Sequence, residues 1–239
     1  MPDINLILGE NGVSVLGTLG RSSLAADFYL AGGTGLALQL YHRRSFDLDF
    51  FQIGQTEHIP WRKVAGEIKR LFGERLAVPV LRQSDQVVWE IAGVKVAFIG
   101  YPFVLVEPLL DAGTLFRELS GVRLATPWEI ALMKAYALGR RATFRDYVDL
   151  YFTLKSGSVT VKEIVTNAAK KFVLGGETLF SPRLFLEQLT YAEDAEDQDV
   201  ALNLLFNRGL TAGQVQAFLK AAVASFLAAE ISRTKGPSL

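Results

Sequence analysis

Two aspartates one residue apart, Asp47 and Asp49, stand in an otherwise apolar string, Phe46-Asp-Leu-Asp-Phe-Phe51. On a strand, successive side chains point to opposite faces, so both carboxylates share one face while Leu48 and Phe50 take the other. Two carboxylates side by side repel unless a proton or cation lies between them. The economical reason for such a pair is to hold Mg²⁺ or Mn²⁺, and magnesium takes one or two carboxylates and completes its octahedron with waters and substrate phosphates. Upstream lies Gly32-Gly33-Thr34, after the apolar run Phe28-Tyr29-Leu30-Ala31. Glycines let a backbone approach a ligand closely, and a following helix offers free N–H groups and the positive end of its dipole. Thr34 supplies a hydroxyl for an N-cap or a phosphate. Alone, a Gly-Gly pair is an ordinary turn and an Asp-x-Asp pair an ordinary surface strand. In the order strand, glycine turn, helix, Asp-x-Asp strand, they set phosphates beside their metal.

Further residues are candidates with bland alternatives. Lys134 lies in the apolar stretch Ile130-Ala-Leu-Met-Lys-Ala-Tyr-Ala-Leu138, where an ammonium needs an anion or must snorkel. Asp146 and Asp149, three apart on one helix face, are natural partners for it. Arg140, Arg141 and Arg145 read equally as a basic patch for RNA or as exposed interhelical arginines. His42, Arg43, Arg44 and Ser45 directly precede the aspartates, close enough in sequence for Arg44 and Ser45 to touch phosphate or base. His42 also suits a helix C-terminus, and Ser45 a capped turn.

These residues need elements to position them. The patterns predict strands at 28–31, 47–52, 76–82, 86–91 and 94–99, and helices at 34–41 and 61–72. Ala92-Gly93 suits a tight hairpin. The fold class is therefore α/β (α+β), a mixed sheet with flanking helices. Thr126-Pro127 starts a helix, with Glu129 as capping partner. From there the chain reads as almost only helix, at 127–139, 143–155, 160–172, 182–190 and 211–231. The chain divides near Val122, into an α/β part over 1–121 and a helical part over 122–239. The acidic run 193–199 reads as a solvated loop or helix face.

The string Leu30-Ala-Gly-Gly-Thr34 followed by His42-Arg-Arg-Ser-Phe-Asp-Leu-Asp-Phe-Phe51 resembles the AbiEii-type toxin nucleotidyltransferases. That family lies within the DNA polymerase beta-like nucleotidyltransferase superfamily, whose signature is a Gly-[Gly/Ser] turn and Asp-x-Asp. A second block, Leu124-Ala-Thr-Pro-Trp-Glu-Ile-Ala-Leu-Met-Lys134 and Arg145-Asp-Tyr-Val-Asp149-Leu-Tyr, agrees with it. The resemblance implies a nucleotidyltransferase-type fold and an enzyme of a type IV toxin–antitoxin or abortive-infection pair. It further implies an NTP substrate, catalytic metals on Asp47 and Asp49, and a triphosphate held by Gly32, Gly33, Thr34, Ser45 and Lys134. Asp146 or Asp149 would orient Lys134 or complete the site. The acceptor would be RNA, a tRNA end among the options, or a protein hydroxyl, and the partner a cognate antitoxin. One departure stands out. The strand matching the polymerases' third carboxylate, Val94-Lys-Val-Ala-Phe-Ile99, has no acid, and Glu90 on the preceding strand is the nearest substitute. A non-catalytic module that binds nucleotide or a partner through a degenerate site is the rival reading.

Composition narrows the field. The 239 residues, 50% hydrophobic, suffice for a sizeable core in one or two domains. Lys+Arg and Asp+Glu are both 25, which argues against a protein that coats nucleic acid without selectivity. The absence of cysteine excludes disulfides and thiolate sites, and two histidines, His42 and His58, make a multi-histidine zinc site improbable. The first ten residues lack a basic leader pattern, and the apolar stretch 221–229 falls short of the roughly 18 residues that span a bilayer. A cytoplasmic location is expected.

Overall fold

A computed structural model describes residues 3–141, 143–192, 195 and 197–234, without the side chain of Thr234. Two compact units divide it, Met1–Ile130 and Ala131–Leu239. The division falls inside the helix that Thr126-Pro127 begins, a few residues past Val122.

The first unit runs α1 (Ile4–Gly20), β1 (Phe28–Leu30), α2 (Gly32–Leu40), β2 (Leu48–Gln52), α3 (Trp61–Leu76), β3 (Ala77–Arg82), β4 (Gln86–Ile91), β5 (Val94–Ile99), β6 (Leu110–Asp111) and β7 (Arg123–Leu124), and holds the start of α4 (Pro127–Leu138). A seven-stranded sheet has the order β3-β4-β5-β2-β1-β7-β6. It is mixed, as expected: β2 runs parallel to β5 and β1 parallel to β7, while β1/β2, β3/β4 and β4/β5 are antiparallel.

Alternation sorts the two faces of this sheet. Phe28, Leu30, Leu48, Phe50, Val96 and Phe98 enter one core with Ile7, Leu8 and Leu16 of α1 and Val64 and Ile68 of α3. The Phe28 and Phe98 rings meet edge to face at 5.0 Å, and Phe50 stacks on Phe98 at 5.5 Å, contacts that add to area burial. Tyr29, Asp49 and Phe51 lie between these positions and so point to the opposite face. In the β4–β5 hairpin both Ala92 (φ 51°) and Gly93 (φ 79°) are left-handed, the geometry of a type I′ turn. Pro79, in β3 at the sheet edge, withholds an N–H where none is needed by a neighbour.

Some boundaries differ from the sequence reading. α1 was not anticipated, because its glycines blur the helical period and Gly9 (φ 71°, ψ 161°) interrupts it. α3 runs on to Leu76 through a break at Gly73 (φ 69°, ψ 167°). β2 begins at Leu48, leaving Asp47 just outside it. Glu129 makes half of a capping box: its N–H donates to the Thr126 hydroxyl at 3.1 Å. Its fully buried carboxylate instead accepts from the amides of Val106 (3.1 Å) and Glu107 (3.3 Å).

The second unit continues with α5 (Phe144–Lys155), α6 (Val161–Lys171), a small hairpin of β8 (Val173–Leu174) and β9 (Glu177–Thr178), α7 (Pro182–Leu189), α8 (Gln198–Leu204) and α9 (Ala212–Thr234). The hairpin and α8 are additions to the five helices expected from 127 onward. Glu193, Asp194 and Glu196 of the acidic run lie outside the described residues. Asp197 is no bystander: it accepts from the Phe144 N–H at 2.6 Å, at the start of α5, and pairs with Arg145 at 3.5 Å. α9 buries Val215, Leu219 and Val223 at four-residue spacing. Its stretch Ala212–Arg233, of mean hydropathy 1.4 with 17% buried, is long and apolar enough to cross a membrane by length and composition alone. The uninterrupted apolar run within it, 221–229, is shorter, because Gln214, Gln216 and Lys220 break the part before it.

Candidate active site

The site is built where β1 hands over to α2. The antiparallel register Leu30↔Phe50 continues one step further, and the Ala31 N–H donates to the Asp49 carbonyl at 3.1 Å. The turn is thereby sewn to the second aspartate. Ala31 is the N-cap of α2, without a side-chain cap bond, so the cap role considered for Thr34 falls to it. Gly32, Gly33 and Thr34 form the first helical turn, whose amides a helix leaves without intrahelical acceptors.

At both glycines a side chain would meet a neighbour. Gly32 is left-handed (φ 62°), and a Cβ there would sit 2.6 Å from Asp49 Oδ2. A Cβ on Gly33 would sit 2.0 Å from Arg43 Nη2. Of the adjacent arginines, Arg43 is the buried one, 3% exposed, with Nη1 donating to the Arg44 carbonyl at 3.0 Å. Arg44 itself is exposed. The sequence gives no sign of this difference, because both residues are arginine and only the path of the loop decides which turns inward.

Thr34 ties the loop after α2 to the helix start. Its buried hydroxyl bonds the Asp47 carbonyl oxygen and lies 2.8 Å from the Ser45 hydroxyl. Asp47 and Asp49, both half-buried, flank the fully buried Leu48. The donor set fits a hard divalent ion: two carboxylates, Asp49 on β2 and Asp47 just before it, with a glycine where a side chain would fill the cradle beside Asp49. Among the described residues no third histidine or acid joins them. The β5 residue opposite Asp49 is Ala97. Glu90 is exposed on β4, in register with Lys95, and β5 separates its strand from β2.

On the aspartate face, Tyr29 stacks on Phe51 at 5.9 Å, and its phenol has no hydrogen-bond partner among the described residues. Burial, and then the nearby Glu129 carboxylate, push the phenol's pKa far up, so it stays neutral.

Lys134 resolves differently from a snorkelling side chain. It is 8% exposed, and its Nζ lies 2.5 Å from Asp146 Oδ1 and 2.8 Å from Asp149 Oδ2. Both carboxylates are buried, and Asp146 also accepts from the Thr143 hydroxyl at 2.8 Å and meets Arg141 at 3.5 Å. The two alternatives left open, pairing with Asp146 or with Asp149, are realised together. The Arg140 guanidinium carbon stands 3.5 Å from the Tyr136 ring centre and Arg145 pairs with Asp197, so each of these two arginines has a structural partner.

Two expected outcomes follow from this geometry. Gly33→Val drives Arg43 from its place and fills the backbone's approach to phosphate, and NTP affinity should fall at least about tenfold, roughly 1.4 kcal/mol. Calorimetric titration of NTP into wild type and variant decides it, and equal affinities remove the turn from the site. Thr34→Ala frees the loop from the helix start. It should lower unfolding free energy by about 1 kcal/mol with only a mild effect on NTP binding, since one neutral hydrogen bond is of that size. Urea denaturation is the check.

Comparison with known proteins now adds to the geometry. A protein of Aquifex aeolicus (strain VF5), described as uncharacterized protein aq_aa25, is 30% identical over 172 residues, 72% of this chain and 77% of its own. Among solved structures, the fold is similar to MenT4, the nucleotidyltransferase toxin Rv2826c from Mycobacterium tuberculosis H37Rv. The TM-score is 0.53 at 16% identity, over 89% of this chain and 82% of that one. It is also similar to JHP933 from Helicobacter pylori, with TM-score 0.52 at 16% identity and 93% of each chain covered. At such identity these structures speak for the fold, which is that of the nucleotidyltransferases. Residues 14–225 match the family model described as nucleotidyl transferase AbiEii toxin, type IV TA system. The glycine turn pressed on Asp49, the mixed sheet beneath it and this match agree: the chain belongs to the AbiEii family of nucleotidyltransferase toxins.

Proposed function

We propose that this enzyme uses Mg²⁺ or Mn²⁺ held by Asp47 and Asp49 to move a nucleoside monophosphate from an NTP to a hydroxyl of RNA, a tRNA end among the acceptors. A protein hydroxyl is the other acceptor that the assay below separates. The acceptor oxygen attacks the α-phosphorus, the bond to the β-phosphate oxygen breaks, and pyrophosphate leaves. With Ala97 opposite Asp49, no side chain of β5 takes the hydroxyl proton, which goes to solvent. The observation that carries the reading is the 2.6 Å between a Cβ position on Gly32 and Asp49 Oδ2. That contact supports a metal on Asp49 within one phosphate of the amides at the helix start.

The bound metal would neutralise charge developing on the phosphates. The chain's own residues do the rest. Gly32, Gly33 and Thr34 offer backbone N–H groups to the triphosphate. Because the Thr34 hydroxyl is engaged with Asp47 and Ser45, Thr34 contributes its amide and holds Asp47 in place. Ser45 and Arg43 stand at the same turn, and Arg44 is exposed where it can reach a phosphate. The resemblance gives Lys134 the triphosphate and Asp146 a supporting part. The type IV toxin–antitoxin setting supports a cognate antitoxin as partner, and an NTP donor places the reaction in the cytoplasm.

The test is incubation with each labelled NTP, Mg²⁺ and total cellular RNA, resolved on a gel. Label in RNA, lost with a chelator, is the expected result. Label only in protein changes the acceptor, and label in neither, with no pyrophosphate released, overturns the reading.

A further inference from the structure

The side-chain space of Gly33 is taken by Arg43. A Cβ on Gly33 would collide with Nη2 and lie 3.1 Å from Cζ and 3.4 Å from Nη1, so the guanidinium covers that residue. We propose that Arg43 binds the β- and γ-phosphates of the NTP and stabilises the pyrophosphate as it leaves. The proposal rests on nucleotidyl transfer from an NTP as the reaction.

On a helix the Cα–Cβ bond tilts toward the N-terminus, so an atom at the Cβ position of Gly33 stands beside the amides that open α2. That end of the helix dipole is positive and repels a cation unless negative charge joins it. Asp49, against Gly32, supplies such charge, and a metal on Asp47 and Asp49 would offset it. Open amides, a metal and a guanidinium then converge on one space, an arrangement that suits a polyanion. Arg43 is 3% exposed, so little water competes for it and a charge-assisted contact gains strength. Its fork is anchored by the bond from Nη1 to the Arg44 carbonyl, at 3.0 Å. The loop that carries it is tied to α2 through Thr34, whose hydroxyl bonds the Asp47 carbonyl and lies 2.8 Å from the Ser45 hydroxyl. Arg44, the next residue, is exposed.

The order of groups along the turn separates the phosphates. Asp49 Oδ2 meets the Cβ position of Gly32, and Arg43 Nη2 meets that of Gly33. The two groups thus flank successive residues, one Cα step of about 3.8 Å apart. The reacting α-phosphorus belongs with the metal, on the Asp49 side, because a metal clamps the oxygens of the bond that breaks. The phosphates beyond it extend along the turn to Gly33 and its guanidinium. The bond from the α-phosphorus to the bridging oxygen breaks with its electron pair on that oxygen, and Arg43 meets the charge that the pyrophosphate gains. A guanidinium stays protonated, so no proton passes through it. Its planar fork matches two phosphate oxygens at once, which an ammonium does not.

The test is calorimetric titration of tripolyphosphate and of a nucleoside monophosphate, each with Mg²⁺, into wild type, Arg43→Met and Arg43→Lys. Arg43→Met should weaken tripolyphosphate binding at least about tenfold, the size of one lost charge-assisted contact, and leave monophosphate binding unchanged. Arg43→Lys keeps the charge without the fork and should fall between. In melting scans, tripolyphosphate should stabilise wild type more than either variant. Should Arg43→Met not fold, Arg43→Lys alone has to show the selective loss. Equal tripolyphosphate affinity in wild type and variants overturns the proposal, as does a wild type that binds none. Equal losses for both ligands reduce Arg43 to a brace of the turn and overturn it as well. Failure of the parent reading looks different: wild type then transfers label to no acceptor, whatever Arg43 does to phosphate binding.

Discussion

Asp49→Asn and Asp47→Asn should each reduce nucleotide transfer by at least about 10²-fold, the size of effect seen when one preorganised electrostatic partner is removed from an active site. Asparagine keeps the shape of the side chain and removes the charge that makes it a metal ligand. Asp47→Asn is the sharper test. The backbone carbonyl of Asp47, which takes the bond from Thr34, is unaffected, and the side chain is half-exposed. Removing one of two like charges on a strand face relieves repulsion in the metal-free protein. The melting temperature in chelator should therefore hold or rise. An Asp47→Asn protein that melts several degrees lower without metal would make the pair structural and remove the metal site. In wild type, added Mg²⁺ should raise the melting temperature through its preference for the folded state, and this shift should vanish in either variant.

Lys134→Met should destabilise the protein by roughly 3–5 kcal/mol, the range for removing one partner of a buried ion pair. From the sequence alone, methionine is an innocuous replacement that keeps the stem in an apolar helix and drops a charge, with stability unchanged or improved. The structure reverses that expectation. Lys134 bridges two carboxylates that are 1% and 0% exposed, and without it the buried ammonium that both share is lost while both charges stay in the interior. Urea denaturation reads the loss. The triple variant Lys134→Met, Asp146→Asn, Asp149→Asn neutralises the cluster and should recover most of the stability. Its activity then separates two roles. A folded but inactive triple variant supports a part for the lysine in handling the triphosphate, as the resemblance implies. A folded and active one reduces the cluster to a brace of the second unit. Lys134→Arg should rescue poorly, since a planar fork does not reproduce a compact ammonium between two carboxylates.

Much of the frame was legible because it depends on local pattern. Strands at 86–91 and 94–99 are short apolar runs on either side of a turn, Ala92-Gly93 accepts left-handed angles, and Thr126-Pro127 begins a helix by hydrogen-bond bookkeeping within one turn. Helices at 144–155 and 161–171 follow their periodicity, the second helped by the Thr160/Glu163 capping box. α1 escaped because Gly9 interrupts its period and the bonds beside the break, Ser45 N–H to the Ile7 carbonyl and Asn11 to the Ala92 carbonyl, join residues far apart in sequence. The β8–β9 hairpin escaped because two residues per strand carry no alternation to read.

For the candidate site, residue order put two glycines at a helix start and two aspartates at the start of the next strand, since glycine's freedom and the apolar pattern are properties of the chain itself. Residue types also limited the ligands on offer, because a sequence without cysteine and with two histidines has chiefly oxygen donors. Tertiary structure alone decided that Gly32 touches Asp49, that Arg43 and not Arg44 turns inward over Gly33, and that Thr34 holds Asp47 rather than capping its helix. It alone decided that Lys134 answers two buried carboxylates at once, and that Ala97 stands opposite Asp49. The physical reason is the same in each case. Register between strands and the path of a loop depend on contacts between residues far apart in sequence, and one chain read in order does not contain those distances.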